Sequence, residues 1–188
     1  MIEEVLFAGF GGQGIMYMGK LLALSAMKEG FEVTWSSSYG IEVRGGTANC
    51  VVKISDKPIP VPLLSSPDTF IAMNELSFLK FRDKVKQQGL IIVNASAIKD
   101  TGKIRADIQA VKIPLADIAA KAGDHRIANM VALGAYLGLK KIVSLETVKR
   151  AMDEMTSAHR RNLLEHNVKA LEAGYQEIKS KVKSQKSK

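Results

Sequence analysis

Apolar and polar positions follow three different rhythms along this chain. Residues 4–8 (EVLFA) are almost continuously apolar, as expected of a strand buried on both faces of a parallel sheet. After a glycine loop, Ile15, Met18, Leu22 and Ala26 recur at helical spacing. That spacing predicts a helix reaching about Glu29, with Gly30 as its C-terminal stop. Residues 31–36 (FEVTWS) predict a second strand, and a strand–helix–strand opening predicts a right-handed crossover onto a parallel sheet. Residues 47–54 alternate instead. Ala48, Cys50, Val52 and Ile54 share one face, with Thr47, Asn49, Val51 and Lys53 on the other, so this strand is expected to be antiparallel and near an edge.

Four of the five prolines fall in residues 58–67, which predicts an extended connector lying over a partner or a site. Residues 68–74 (DTFIAMN) and 90–94 (LIIVN) predict two further core strands separated by a helix over about 75–86. Each strand ends in asparagine, at the carboxyl end where α/β proteins gather polar groups for ligands. A turn-forming role for Asn74 and Asn94 reads equally well. Two short strands are expected at 103–108 and 110–113, then helices at 115–122, 127–137 and 145–155. A last helix from about Ala158 carries Leu164, Val168, Leu171, Tyr175, Ile178 and Val182 at steps of four and three. That stripe suits packing on the chain's own sheet or, alternatively, on a partner. The expected fold is one three-layer α/β/α domain over residues 1–178, with a mostly parallel, mixed sheet and a Rossmann-like opening.

Composition narrows the function. The chain has 188 residues, 46% of them apolar and 24% charged, which suits an ordinary globular domain. Its net charge is +8, but five lysines and no acid lie in the last ten residues, KSKVKSQKSK, which are expected to form a disordered tail. Aromatics make up only 6% of residues and the tail has none, which weighs against nucleic-acid binding. One cysteine, Cys50, cannot hold an iron–sulfur cluster and reads as a core thiol. The start MIEEVLF has no basic n-region, and no apolar run reaches the ~20 residues of a membrane span. Both point to the cytoplasm.

Two loops carry residues that folding alone does not explain. Gly9-Phe10-Gly11-Gly12-Gln13-Gly14 satisfies G-x-G-x-x-G between a strand and a helix, where backbone N–H groups and the helix dipole suit a phosphate. A dinucleotide site also needs an acid at the end of the second strand, and that position holds Trp35-Ser36-Ser37. An NAD(P)-binding enzyme acting alone is therefore the weaker reading; another phosphate-bearing ligand or a turn meeting a neighbouring chain remains open. The second loop, Ser38-Tyr39-Gly40-Ile41-Glu42-Val43-Arg44-Gly45-Gly46, places a phenol, a carboxylate and a guanidinium among three glycines. Arg44 suits bidentate recognition of a carboxylate or phosphate, unless Glu42 and Arg44 simply pair with each other. His159 and His166 lie one heptad apart, about 10 Å along a helix, with no HExxH frame, so no metal site is expected. Gly123-Asp124-His125 begins like a thiamine diphosphate motif but lacks its second glycine.

GFGGQGI, then SYGIEVRGGTANC, then the PD and IAMN pairings resemble the γ subunit of the 2-oxoacid:ferredoxin (acceptor) oxidoreductases. Arg44-Gly45-Gly46 resembles the 2-oxoglutarate branch in particular, and the indolepyruvate oxidoreductase small subunit is similar. The resemblance implies CoA-dependent oxidative decarboxylation of a 2-oxoacid to acyl-CoA, with electrons passing to ferredoxin or another acceptor. It implies α and β partner subunits, with a δ subunit as a further candidate. Thiamine diphosphate, magnesium and iron–sulfur clusters would then sit on those partners, with no cofactor and no catalytic residue on this chain alone. It also implies that Gly11, Gly12, Gln13, Gly14, Tyr39, Gly40, Glu42, Arg44, Gly45 and Gly46 lie at a subunit junction and help seat CoA. The rival from another class is the stand-alone NAD(P) enzyme, and a second rival is a pure scaffold with no residue in the active site.

Overall fold

The structure, a computed structural model, describes residues 2–39, 46–59, 66–158 and 161–186. Among these residues a six-stranded mixed sheet runs in the order β2-β3-β1-β4-β5-β6. The strands are β1 (Ile2–Phe10), β2 (Glu32–Tyr39), β3 (Thr47–Ser55), β4 (Thr69–Ala72), β5 (Leu90–Asn94) and β6 (Gln109–Ile113). The helices are α1 (Ile15–Lys28), α2 (Glu75–Phe81), α3 (Leu115–Lys121), α4 (Ala128–Lys140), α5 (Leu145–Met155) and α6 (Arg161–Lys186).

The parallel half is as expected: β1, β4, β5 and β6 lie side by side in one direction. The opening differs. β2 does not pair with β1, because β3 is inserted between them, antiparallel to both. Strand β3 is thus antiparallel and next to the edge, as expected, while β2 takes the edge itself. The polar face of β3 is drier than its residues suggest because its charge is neutralised in place. Lys53 and Glu4 are directly opposed across the β1–β3 ladder, buried, with Nζ and Oε2 3.3 Å apart. A buried cation beside its partner carboxylate mimics a solvated face in sequence.

Other corrections are local. Residues 103–108 form no strand, leaving β6 alone beyond β5. Helix α2 stops at Phe81 and continues as a 3₁₀ turn, Arg82–Lys84. Another 3₁₀ turn, His125–Ile127, precedes α4, which runs on to Lys140. Helix α6 continues through Lys186, so most of the lysine-rich segment prolongs the last helix. Most of the proline stretch lies outside the described residues.

Two apolar clusters cover the two faces of the sheet. On one, Phe7, Cys50, Val52, Ile71 and Ile92 meet α1, α4 and α5. On the other, Leu6, Phe70 and Ile91 meet Phe78 and Phe81 of α2, with the Phe70 and Phe81 rings edge-on at 6.0 Å. Burying each such large side chain contributes about 1.5–3 kcal/mol. The α6 stripe packs within the chain. Leu171 and Ile178 are fully buried, Leu164, Val168 and Tyr175 partly so, and Val182 is exposed.

Helices α4 and α6 touch backbone to backbone. A Cβ on Gly134 would collide with the carbonyl oxygen of Leu171, and one on Gly174 with that of Val131. Gly138 repeats the pattern one turn on, where a Cβ would stand 3.1 Å from Ile178 Cβ. Both obstacles at Gly134 and Gly174 are main chain, so the helices themselves must separate. Gly134→Ala and Gly174→Ala are each expected to cost about 3 kcal/mol, despite the better helix propensity of alanine. In thermal unfolding that corresponds to roughly 6–12 °C in Tm; unchanged melting of both variants would contradict the contact.

Candidate functional site

The glycine loop leaves β1 at Phe10 and enters α1 at Ile15. Gly11 N–H donates to the Gly46 carbonyl at 3.1 Å, one step beyond the Phe10–Thr47 pair that ends the β1–β3 ladder. The two loops singled out in the sequence therefore meet through their main chains. Gln13 closes the turn from within. Its Oε1 accepts from Phe10 N–H at 2.7 Å, and its own N–H donates to the Phe10 carbonyl at 3.2 Å. Part of its role is thus structural.

Gly14 precedes α1 at φ +71°, in the left-handed region, and any Cβ there would strike the Asn129 amide. That amide donates to the Gly14 carbonyl at 3.4 Å, tying the loop to the start of α4. Gly12 has φ +91° and no atom within 4 Å of where a Cβ would stand, so the loop crest is open. Helix α1 starts with no side-chain cap and no acid in its first turn. Its first N–H groups and the positive end of its dipole therefore remain available to an anion.

Gly40, Glu42, Arg44 and Gly45 lie outside the described residues, as does the Tyr39 side chain, so their expected roles lie outside them too. Gly46 is buried against the loop. Asn74 and Asn94 both follow the turn-forming reading. Asn74 caps α2, accepting from Ser77 N–H at 2.8 Å. Asn94 accepts from Ser96 N–H at 3.2 Å and donates to the Met73 carbonyl at 3.1 Å. Asn94 also lines a cleft of about 340 Å³ at the carboxyl ends of β4 and β5, with Gly12, Gln13, Asn129 and Arg126 around it.

A second cleft, about 270 Å³, also touches Gly12 and extends past Tyr17 toward Met155 and Leu163. A third, about 350 Å³, reaches His166 and Asn167. Arg126 borders all three. Its guanidinium is exposed and forked onto Asp124, with Nε and Nη2 at 2.8 and 2.7 Å from Oδ2. Arg126 holds the Asp124 carboxyl down at about 2, so this pair stays ionised at any ordinary pH. Among the described residues no three His, Cys, Asp or Glu side chains gather as a metal site. Arg126 and Asn129 escaped the sequence reading. Asn129 was visible as the one amide in an otherwise apolar stretch, ANMVALGAYLG.

The missing acid of the dinucleotide fingerprint has a structural counterpart. With β3 between β1 and β2, the end of the second strand lies two ladder spacings, roughly 10 Å, from the loop strand. Cys50 is fully buried, its thiol donating to the Ile15 carbonyl at 3.4 Å. Burial pushes it up to about 12, which fits a core thiol and not a nucleophile.

Two outcomes follow. Gln13→Ala removes the acceptor of Phe10 N–H, and amide exchange over residues 10–14 is expected to quicken by about tenfold while α4 is unaffected; equal rates would contradict the tie. Native chain is expected to resist iodoacetamide at pH 8 and to react fully in urea. Because the folded thiol titrates higher than the unfolded one, its contribution to stability is complete below pH 9 and is lost between about 9 and about 12.

The family described as pyruvate ferredoxin/flavodoxin oxidoreductase matches residues 4–177. The ketoisovalerate oxidoreductase subunit VorA of Methanothermobacter thermautotrophicus is 36% identical over 171 residues. That match covers 91% of this chain, which spans only 35% of the length of VorA. The 2-oxoglutarate synthase subunit KorC of Methanocaldococcus jannaschii is 33% identical over 95% of both chains. Among solved structures, the 2-oxoglutarate:ferredoxin oxidoreductase of Magnetococcus marinus, with 2-oxoglutarate, coenzyme A and succinyl-CoA bound, superposes with a TM-score of 0.88. It is 26% identical, over 95% of this chain and 31% of that one.

Proposed function

The chain belongs to the pyruvate ferredoxin/flavodoxin oxidoreductase family, and from that premise we propose that it is the γ subunit of a 2-oxoacid:ferredoxin (acceptor) oxidoreductase. The 2-oxoacid is 2-oxoglutarate. This choice is supported by the end-to-end match with a 2-oxoglutarate synthase subunit and by the likeness to an enzyme holding succinyl-CoA. The reaction is the CoA-dependent oxidative decarboxylation of the keto acid, carried out by the assembled complex.

The observation that carries this reading is the bond between Gly11 and Gly46. It fastens the glycine-rich loop to the end of the Arg44-bearing segment, beside the uncapped start of α1 and the open crest at Gly12. Backbone N–H groups and a helix dipole suit the phosphates of CoA, and Arg44, two residues before Gly46 in the sequence, brings a side chain of the kind that pairs with phosphate. Residues 11–14 and 39–46 thus seat CoA where this chain meets its α and β partners. A single, buried cysteine does not suit a cluster, and Gly123-Asp124-His125 lacks the second glycine of a thiamine diphosphate motif. The partners supply those groups, and the chain's own residues bind and orient.

In the complex assembled with its partner subunits, Arg44→Ala is expected to raise KM for CoA by about tenfold, ~1.4 kcal/mol, with kcat and KM for the keto acid little changed. Tenfold weaker CoA binding supports the junction site. An unchanged KM removes CoA from it. Normal CoA kinetics with indolepyruvate as the only keto acid accepted would transfer the chain to the indolepyruvate branch.

A further inference from the structure

The two clefts that open onto the glycine loop share a rim. Gly12, Asn129 and Arg126 border both of them. From that rim the first cleft, about 340 Å³, extends over Met73 and Ala97. The second, about 270 Å³, extends past Tyr17 to Met155. Each alone is at the small end of ligand clefts, which span about 300–1,000 Å³. A ligand laid across the rim would keep its middle at Gly12 and Arg126 and place one arm in each cleft.

Charge is concentrated at the same point. Among the described residues Arg126 is the only arginine, lysine, aspartate or glutamate lining either cleft. The amide and hydroxyl side chains of the first cleft are already bonded within the chain. Gln13 accepts from Phe10 N–H, Asn94 donates to the Met73 carbonyl, Ser96 donates to Asp117 and Asn129 donates to the Gly14 carbonyl. Asp124 holds the Arg126 guanidinium by one edge, through Nε and Nη2. The other edge, Nη1 with the second hydrogen of Nη2, has no partner among the described residues. A phosphate takes such an edge with two parallel hydrogen bonds. A side chain already fixed by a carboxylate also loses less rotamer freedom when the ligand arrives.

Taking the CoA junction proposed above as its premise, we propose that Arg126 binds the diphosphate bridge of CoA, with the adenosine and pantetheine arms lying in the two clefts. The bridge is the charged group in the middle of that molecule. Its 3′-phosphate and its thiol lie toward the two ends, and the carboxylates of a keto acid are terminal. A lone cation on a rim between two clefts suits a central charge and not a terminal one.

Acyl acceptors of graded length test this in the complex assembled with its partner subunits. In Arg126→Ala, KM for CoA and KM for dephospho-CoA, which keeps the bridge but lacks the 3′-phosphate, are expected to rise by the same factor, about tenfold. Affinity for pantetheine, which has no bridge, read as acceptor or as competitor of CoA, is expected to change by less than about twofold, as is KM for the keto acid. A variant that had lost its local fold would fail with pantetheine too, so misfolding does not imitate this split. A rise for CoA alone would place Arg126 on the 3′-phosphate, and a rise for the keto acid would place it on a carboxylate; either overturns the proposal. An equal loss with all three acceptors also overturns it. Arg126-dependent inhibition by NAD as tight as CoA itself would give the rim to dinucleotides, with the same consequence. If Arg44→Ala weakens CoA and Arg126→Ala does not, this inference falls and the CoA junction stands. If neither does, both fall.

Discussion

The register between β1 and β3 is the constraint on which the rest of the structure depends. Nine consecutive pairs, from Ile2–Ser55 to Phe10–Thr47, bring Gly46 alongside Gly11. A slip of one residue would turn Cys50, Val52 and Ile54 away from α1 and part the two loops. The Glu4–Lys53 pair sits within that ladder. Two buried charges contribute little net stability once their desolvation is counted, but only one alignment keeps them paired. They are best understood as a device that selects this register over its neighbours.

The site is assembled by packing as much as by the loop itself. Glycine at 134 and 174 lets α4 approach α6 until their main chains touch. That approach fixes the start of α4, from which Asn129 reaches the Gly14 carbonyl and behind which Arg126 overlooks the clefts. A residue added between the helices, far from the loop, would therefore be felt at Gly14. The second face of the sheet has lighter cover, with the short α2 as its helix. The cleft-bearing face thus takes most of the helical mass.

Much of this was legible in the chain. The spacing of Ile15, Met18, Leu22 and Ala26 located α1, and the runs LIIVN and LETVKRAMDEM located β5 and α5 to the residue. The alternation at 47–54 gave the antiparallel direction of β3 but not its neighbours, because local periodicity records which face is buried and not which strand lies alongside. Lys53 made one face of β3 look wetter than it is, because its charge is neutralised by Glu4. Residues 103–108 read as a strand because Ile104 and Ile108 pack inward from an irregular segment. At the site, the meeting of the two loops could be guessed from their shared glycines. Arg126 could not, and Asn129 showed only as a lone amide in an apolar stretch, since both arrive from more than a hundred residues away through the α4–α6 contact.

The central claim is that this chain lends a binding surface to a reaction whose electron carriers and carbanion sink belong to its partners. The most direct measurement is reduction of a viologen dye by 2-oxoglutarate and CoA, made with the purified chain, with the partner subunits, and with both combined. The account predicts no reduction by the chain alone and CoA-dependent turnover only when it joins its partners. Turnover by the chain alone, or partners equally active without it, would contradict the account.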